Sequence, residues 1–294
     1  MKVGLQVYTV RNHFKAAPYE TLKQVKEEGY KYIEMANHDA YHDVGTGFNV
    51  PVDEFKKAVE ELGIKVVGAH IMPADEKETI EPFYKDLDHF KKIIAYYNEL
   101  EVPYLSIPID FYSSYDYLMS RCEVYNNLGK VCKENGITLL YHNHWHEFQR
   151  INGKVILDTL MENTDPEYLG MELDAYWTIR GAFDPAEKIR TYGNRIKLLH
   201  EKDFPLKYVQ EMNSWMFIDQ DKPVDYDGYL ATIKPHQFVE IGDGMIKVQD
   251  VIDAGNEFGV EYILIEQDFS ELDEIESIRK SMSNFKRMRD LTWD

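Results

Sequence analysis

The segment from Leu139 to Phe148, LLYHNHWHEF, joins an apolar run to the side chains best suited to chemistry. The apolar residues predict a buried strand, and histidines follow at every second position, at His142, His144 and His146. Neutral imidazole is the commonest side-chain metal ligand, and the adjacent Glu147 could be a ligand, a partner that orients a ligand, or an acid or base. An exposed polar strand end would show the same spacing, so the rest of the chain has to decide between a metal site and a solvated surface.

The charge balance limits the classes of partner. The chain has 294 residues, with 33 Lys and Arg against 52 Asp and Glu, and a formal net charge of −19. A protein that neutralises phosphate groups needs basic clusters, so this balance argues against a nucleic-acid partner and against an anionic membrane surface.

Cysteine usage and the N-terminus bear on the compartment. Cys122 and Cys132 are too few for a disulfide framework or a zinc–thiolate site and predict reduced, buried thiols. Gln6 and Arg11 interrupt the apolar segment that a signal peptide would need, and no run approaches the ~20 apolar residues of a membrane helix. We therefore expect a cytoplasmic protein.

A repeated joint organises the chain: a charged amphipathic stretch, a glycine, and a short apolar run. It occurs at Gly29, Gly63, Gly136 and Gly259. Glycine just past a helix adopts the left-handed cap conformation easily, so each joint predicts a helix followed by a strand. The sequence predicts eight strands, at Val3–Tyr8, Tyr30–Met35, Ile64–His70, Val102–Pro108, Ile137–Asn143, Tyr168–Asp174, Ile196–His200 and Glu261–Glu266. Eight βα units without a Pro-, Gly- or Ser-rich linker predict an α/β protein, a single (β/α)8 TIM barrel domain over residues 1–294.

Two predicted connections, Ala36–Pro51 and Glu201–Gln237, exceed the usual few residues. Both follow strands, so they lie at the end of the barrel where barrel enzymes keep their active sites. We interpret them as loops that cover a substrate, with surface loops of no function as the alternative.

The predicted strand ends carry ionisable residues that period-two alternation directs into the barrel. Glu172 and Asp174 share one face of MELDAYW, and His200 and Lys202 share one face of IKLLHEKD. Ionisable groups inside a barrel are unfavourable unless they are paired or bound to a metal. Two imidazoles and two carboxylates from strands five to eight form the predicted metal set, which is His142, Asp174, His200 and Glu266. This mixture of nitrogen and oxygen donors predicts a divalent metal, in the first place Mn²⁺, with Mg²⁺, Co²⁺ or Zn²⁺ as alternatives.

The strand-end pattern resembles the xylose-isomerase-like barrel superfamily of sugar phosphate isomerases and epimerases, which also includes inosose dehydratases. The resemblance extends over essentially the whole chain and is carried by LLYHNHWHEF, MELDAYWTIRGAFDP, LLHEKDF, VEIGDG and ILIEQD. It implies that the four residues of the predicted metal set are the ligands. Tagatose- and ribulose-type 3-epimerases have glutamate at the strand-five position and use it with the strand-eight glutamate as a pair of bases. His142 at that position resembles instead the inosose dehydratase branch and other proteins with a YHNH motif.

The resemblance also implies a reaction. A base removes the proton next to a carbonyl that the metal polarises, through a metal-stabilised enediolate. His144 and Glu147 are the favoured candidates for the base, and Glu266 is a further one if it both ligates and exchanges protons. Lys202, held by Asp203, would donate to a substrate oxygen, with a structural ion pair as the alternative. Glu147 could instead orient a histidine ligand.

Other residues near the strand ends are candidates for binding a substrate. Arg11 and Arg180 would bind an acid or phosphate group, with surface ion pairs as the alternative. Aromatic rings could form walls around a sugar, although core packing explains them equally well. The complete predicted set of substrate-binding residues is Tyr8, Arg11, Glu34, His70, Trp177 and Arg180.

Three functions of different class follow. The first is a divalent-metal-dependent isomerase or epimerase that acts on a ketose or sugar derivative. The second is a lyase with the same proton removal, either a keto-inositol dehydratase or an enzyme that eliminates an aglycone from a 3-keto sugar. The third is a sugar-binding barrel without catalysis. In each case we expect a small sugar or polyol as the ligand, and the sequence leaves open whether the chain forms a homo-oligomer.

Overall fold

Eight parallel strands form a closed barrel in a computed structural model that describes residues 1–73 and 80–293. The strands pair in chain order, and the last strand pairs with the first. The predicted (β/α)8 barrel is confirmed, and all eight predicted strands are present. They are β1 (Lys2–Gln6), β2 (Tyr32–Asn37), β3 (Lys65–Ile71), β4 (Tyr104–Ile107), β5 (Thr138–His142), β6 (Leu169–Asp174), β7 (Ile196–Glu201) and β8 (Tyr262–Ile265).

Helices follow the strands and cover the outside of the barrel. The α-helices are α1 (Arg11–Ala16), α2 (Pro18–Glu27), α3 (Val52–Leu62), α4 (Ile80–Lys85), α5 (Leu87–Glu99), α6 (Tyr115–Glu134), α7 (Ile156–Glu162), α8 (Ala175–Arg180), α9 (Pro185–Tyr192), α10 (Tyr226–Ala231), α11 (Val248–Glu257) and α12 (Glu274–Phe285). Short 3₁₀ helices lie at Val7–Val10, His146–Phe148, Gly193–Arg195, Leu206–Glu211, Ser214–Phe217 and Pro235–Gln237, and a small hairpin joins Arg150–Ile151 to Lys154–Val155. Within the described ranges, none of these helices is both long and apolar enough to cross a membrane.

The glycine joints adopt the conformation that the sequence predicts. Gly29, Gly63, Gly136 and Gly259 have φ values of 102°, 59°, 79° and 68°. These values lie in the left-handed region that glycine enters without a Cβ penalty. Each joint therefore stops a helix and turns the chain directly into a barrel strand.

The barrel interior is filled in layers. The lower layer is apolar and consists of Val67, Leu140, Leu198, Tyr262 and Leu264. His142, His200 and Glu266 each follow a leucine of this layer by two residues, so they occupy the same inward face closer to the carboxyl ends of the strands. An absent side chain makes room here, because a Cβ at Gly68 would lie 2.6 Å from Glu34 Oε1.

The layer between the barrel and its helices forms the main apolar core. Phe55 and Val59 of α3 are buried against the barrel. Cys122 and Cys132 of α6 are buried free thiols, as expected from their number and spacing. Helix α6 approaches the barrel closely at Gly129, where an added Cβ would lie 2.1 Å from the carbonyl oxygen of Tyr168.

We predict that Gly129→Ala destabilises the protein by about 1–3 kcal/mol, because the new methyl group meets backbone that cannot move aside. Helix propensity alone would make alanine more stable than glycine here by about 1 kcal/mol. A fall in the free energy of unfolding therefore indicates the steric contact with Tyr168 and not helix propensity. Urea denaturation followed by circular dichroism measures it.

The matched control is Gly153→Ala, where φ is 78° and an added Cβ meets nothing within 4 Å. The stability of this variant should fall only by the conformational cost of a positive φ for alanine, about 1–2 kcal/mol. A Gly129→Ala variant as stable as the wild type would show that helix α6 does not approach the barrel as closely as described.

Candidate metal centre and active-site cavity

The four residues of the predicted metal set meet at the carboxyl end of the barrel. His142 ends β5, Asp174 ends β6, His200 lies near the end of β7, and Glu266 directly follows β8. One ligand atom from each residue lies within 4.8 Å of the others, and all four residues are buried. Consecutive strand ends and inward alternation account for this convergence.

Each carboxylate of the predicted metal set also contacts a nitrogen atom of a neighbouring residue. Asp174 Oδ1 accepts a hydrogen bond at 2.7 Å from the backbone N–H of Trp177 and so caps helix α8. Glu266 Oε2 lies 2.9 Å from Nδ1 of His200. The imidazole of His142 places Nε2 3.9 Å from Asp174 Oδ2. Burial lowers the pKa of His142 to about 3, so its ring is neutral and can offer a lone pair.

The Lys202 ammonium group occupies the space between the two carboxylates. Its Nζ lies 2.6 Å from Asp174 Oδ2 and donates a short hydrogen bond to Glu266. Burial lowers the pKa of Lys202, but Asp174 and Glu266 raise it well above its usual value. A positive charge is therefore already required between these oxygens, and with two imidazoles beside them the donor set fits a divalent cation.

A second cluster of ionisable residues lies directly beneath this set. Glu172 contacts His70 at 2.9 Å and His200 at 2.8 Å, and Glu34 contacts His200 at 2.6 Å. Burial lowers the pKa of His200, yet Glu172 and Glu34 raise it well above its usual value. Burial also raises the pKa of Glu34 to about 7.

A cavity of about 190 Å³ opens above the metal set. Its floor contains His142 and Glu266, and its walls come from both long connections: His38 from the loop after β2, and Tyr226 and Tyr229 from the loop after β7. The lining residues are Tyr8, His38, His70, Met72, Pro108, Ile109, His142, His144, Lys202, Tyr226, Tyr229, Leu230, Ile233, Glu266, Asp268 and Phe269.

The structure separates the two favoured candidates for the base. His144 lines the cavity, and burial lowers its pKa well below its usual value, so the ring is neutral at pH 7. Glu147 does not line the cavity; it is fully buried and accepts hydrogen bonds from Tyr141 Oη and from the backbone N–H of His144, both at 2.8 Å. Glu147 thus fixes the backbone that presents His144.

Asp203 does not hold Lys202, contrary to the sequence prediction. Its carboxylate accepts hydrogen bonds from the backbone N–H groups of Gly242, Gly244 and Ile246 at 2.9–3.0 Å. Inward alternation points the neighbouring Lys202 into the barrel, which leaves Asp203 to anchor the loop of the VEIGDG motif.

The predicted substrate-binding residues divide into two groups. Tyr8 and His70 line the cavity. Glu34 lies in the cluster beneath it, and the Trp177 ring is fully buried 5.2 Å from the ring of His144. Neither residue is among those that line the cavity.

The two predicted arginines are likewise not among the residues that line this cavity. Arg11 donates to the carbonyl oxygens of Tyr8 and Asp268. Arg180 is fully buried and donates to Gln237 Oε1 at 2.8 Å and to the carbonyl oxygen of Thr232 at 3.0 Å. Arg180 therefore braces the loop after β7, since its two terminal nitrogens both donate to acceptors in that loop.

Several cavity residues were not predicted as site residues. Asp268 could have been found, because it continues the inward phase of Glu266, and burial raises its pKa to about 7. His38, Tyr226 and Tyr229 gave no local signal, because only the fold of the long connections brings them to the cavity.

Fold and site define a class: a closed parallel barrel whose fifth to eighth strands end in a buried cluster of imidazoles and carboxylates. Residues 22–288 match the family model described as xylose isomerase-like TIM barrel. The chain belongs to the xylose isomerase-like TIM barrel family, which confirms the resemblance seen in its motifs.

Curated relatives match part of the chain. It is 30% identical over 144 residues to an inosose dehydratase from Clostridium perfringens, which covers 48% of this chain and 44% of the relative. It is 28% identical over 140 residues to an inosose dehydratase from Lacticaseibacillus casei, which covers 47% of this chain and 43% of the relative. These matches span less than half the length of either relative.

Solved structures match nearly the whole chain. A sugar phosphate isomerase/epimerase from Parabacteroides distasonis is 24% identical, with a TM-score of 0.76, and the match covers 96% of this chain and 92% of that one. The IolI protein, crystallised with a bound zinc atom, is 15% identical, with a TM-score of 0.69 and coverage of 97% and 96%. At these identities the likeness shows a shared fold alone.

We predict that Lys202→Met destabilises the metal-free protein by about 3–5 kcal/mol, because two buried carboxylates lose their counter-ion. Added Mn²⁺ should restore stability to the variant more than it stabilises the wild type, because the cation no longer competes with an ammonium group. Urea denaturation with and without Mn²⁺ tests both statements.

Lys133→Met, which removes an exposed ion pair with Glu167, is the control and should change stability by about 1 kcal/mol or less in either condition. Equal Mn²⁺ effects on Lys202→Met and wild type would contradict the prediction.

We predict that His146 lowers stability in acid. Burial lowers its pKa from 6.5 to about 4 while its Nε2 donates to the carbonyl oxygen of Asp110. Between these values the unfolded chain binds a proton that the folded protein does not, so stability falls as pH falls. His146→Gln keeps a donor for Asp110 and removes the titration. Relative to this variant, wild type should lose about 2 kcal/mol between pH 8 and pH 5, measured by denaturation at each pH; parallel pH profiles would contradict the assignment.

Proposed function

We propose that the protein is a divalent-metal-dependent isomerase or epimerase that removes the proton next to a carbonyl of a ketose or sugar derivative. The observation that carries the proposal is the convergence of His142, Asp174, His200 and Glu266 at the carboxyl end of the barrel, where His142 and Glu266 line a cavity. Barrel enzymes place their chemistry at this end. The cavity of about 190 Å³ is smaller than the roughly 300 Å³ and more of common ligand pockets, which suits a small sugar or polyol.

Those four residues would hold the cation, Mn²⁺ in our proposal, with Mg²⁺, Co²⁺ and Zn²⁺ as alternatives. When bound, it supplies a Lewis acid that makes the proton next to the carbonyl more acidic. His144 is our candidate for the base, since its neutral ring lines the cavity beside the metal set. Lys202, which also lines the cavity, would donate a hydrogen bond to a substrate oxygen, and Glu266 would be the second proton acceptor.

Two residues that do not line the cavity would position those that do. Glu147 holds the backbone of His144, so we assign it an orienting role rather than that of the base. Arg180 braces the loop that carries Tyr229. Tyr8, from the 3₁₀ helix after β1, and His70, from β3, both line the cavity and remain our candidates for substrate contact.

A lyase is the second candidate, and a specific observation favours it. Both curated relatives described above are named inosose dehydratases. A dehydratase begins with removal of the same proton, after which a hydroxyl group leaves the neighbouring carbon as water and a carbon–carbon double bond forms. Lys202, as an ammonium group in the cavity, could protonate that leaving group.

Exchange of the substrate α-proton in deuterated water tests the proposal. We expect wild type loaded with Mn²⁺ to exchange the α-proton of at least one member of a panel of ketoses, keto-inositols and 3-keto sugars, and to stop when a chelator removes the metal. Nuclear magnetic resonance follows exchange and product together. An isomeric or epimeric sugar supports the first candidate, and an unsaturated product supports the lyase.

Two histidine variants sharpen this test. His144→Gln should slow exchange about 10²–10⁴-fold because it removes the base. His146→Gln is the matched control and should retain exchange, since His146 faces Asp110 and Phe111 and does not line the cavity. Absence of exchange across the panel with the metal bound would overturn the proposal and leave the third alternative, a sugar-binding barrel without catalysis.

A further inference from the structure

Glu172 lies beneath the metal set and is in contact with three histidines. Its Oε1 lies 2.8 Å from His200 Nε2, and its Oε2 lies 2.9 Å from His70 Nε2 and 3.6 Å from His142 Nδ1. Like its neighbours it is out of reach of water, with no exposed surface. We propose that Glu172 is a positioning residue that fixes which ring nitrogen His142 and His200 present to the cation. The inference rests on the proposed metal site.

The two ligand histidines face the metal set with different nitrogens. His200 directs Nδ1 toward Glu266 and Nε2 toward Glu172, whereas His142 directs Nε2 toward Asp174 and Nδ1 toward Glu172. A neutral imidazole carries one proton, and the nitrogen that binds a cation must be the one without it. The negative charge of Glu172 below both rings favours the protons on the lower nitrogens by electrostatic attraction, at 2.8 Å for His200 and 3.6 Å for His142, and so leaves the upper lone pairs available.

Strand geometry explains how one residue reaches both rings. Glu172 precedes the ligand Asp174 by two residues on β6, so it lies on the same inward face one step deeper. It is the register partner of His142 on the neighbouring strand β5. Strand β6 therefore supplies a ligand to the site and, one layer below, the carboxylate that orients the ligands of its two neighbours.

The carboxylate is itself held in place. His70 contacts its Oε2, and the His70 ring stacks on the ring of His200 with centroids 5.1 Å apart. Glu34 accepts the hydrogen bond of His200 Nε2 at 2.6 Å, which fixes that ring above Glu172, and Glu34 is itself held by Gln6 Nε2 at 2.9 Å. With these neighbours Glu172 can rotate little without breaking a contact that nothing in this dry interior would replace.

The competing interpretation is that the lower cluster binds a cation of its own. His70, His142, Glu172 and His200 also offer ligand atoms within 4.8 Å of one another. His142 and His200 belong to both groups, so two occupied sites would require each ring to bind through both nitrogens. The number of cations per chain separates an orienting carboxylate from a ligand.

The test compares Glu172→Gln with wild type and with Glu240→Gln. Glu240 is the matched control, a buried carboxylate that accepts from Ser270 and Ser277 and contacts none of the four proposed ligands. Isothermal titration with Mn²⁺ gives affinity and stoichiometry, and the visible spectrum of the Co²⁺ form reports ligand geometry. Circular dichroism checks folding.

We expect one cation per chain in all three proteins, an affinity 10–100-fold weaker in Glu172→Gln, and an altered Co²⁺ spectrum in that variant alone. A merely structural role would leave the spectrum unchanged. Should Glu172→Gln fail to fold, His70→Gln, which releases Oε2 of Glu172, should weaken Mn²⁺ binding in the same direction.

Three results would overturn the inference. An affinity and spectrum equal to wild type in Glu172→Gln would show that the rings need no carboxylate below them. Two cations per wild-type chain, falling to one in Glu172→Gln, would make Glu172 a ligand. A wild type that binds no divalent cation would remove the proposed function as well, which distinguishes that failure from the first two.

Discussion

Four carboxylates share the interior of this barrel with three imidazoles and one ammonium group, and all of them are buried. An isolated charge in such surroundings is strongly unfavourable, so every carboxylate must face a cation or a proton donor. Glu34 and Glu172 face His70 and His200, while Asp174 and Glu266 face Lys202. The upper pair is the one that an incoming divalent cation can reach from the cavity. Charge neutralisation thus links the lower cluster, the metal set and the cavity into one unit.

The barrel stabilises this polar layer by enclosing it between an apolar layer below and a cavity above. Below it, Leu140, Leu198 and Leu264 close the interior with apolar side chains. Above it, the cavity gives access to Lys202 and Glu266. Gly68 leaves the space into which Glu34 extends. Because parallel strands are fixed by hydrogen bonds on both sides, the polar groups are held at set separations, and a site built on strand ends does not depend on mobile loops for its ligands.

What the sequence could predict follows from how each residue is positioned. The strands, the glycine joints and the four proposed ligands follow local rules, namely period-two alternation and the left-handed helix cap. These rules depend only on neighbouring residues, so they hold in the folded structure. The division of labour between His144 and Glu147 does not follow from such rules, because it depends on a 3₁₀ turn that points one into the cavity and the other toward Tyr141. Arg180 and Asp203 similarly looked available for substrate or Lys202, but their partners lie 52 and 39 residues away in the chain. Such long-range pairing leaves no trace in local spacing.

His142 changes the charge of the site relative to a barrel with glutamate at that strand end. With glutamate, three carboxylates would surround the cation. Two of them, the glutamates after the fifth and eighth strands, could then exchange protons, one on each side of the substrate. With histidine, Asp174 and Glu266 would balance the proposed divalent cation without excess, and the Lys202 ammonium group, which now faces both carboxylates, would become surplus to them. Lys202 and the neutral His144 both line the cavity. A base and an acid of different chemical type would serve loss of water as well as proton transfer between two carbon atoms, so the charge balance supports the lyase as the second candidate without displacing the proposed isomerase or epimerase.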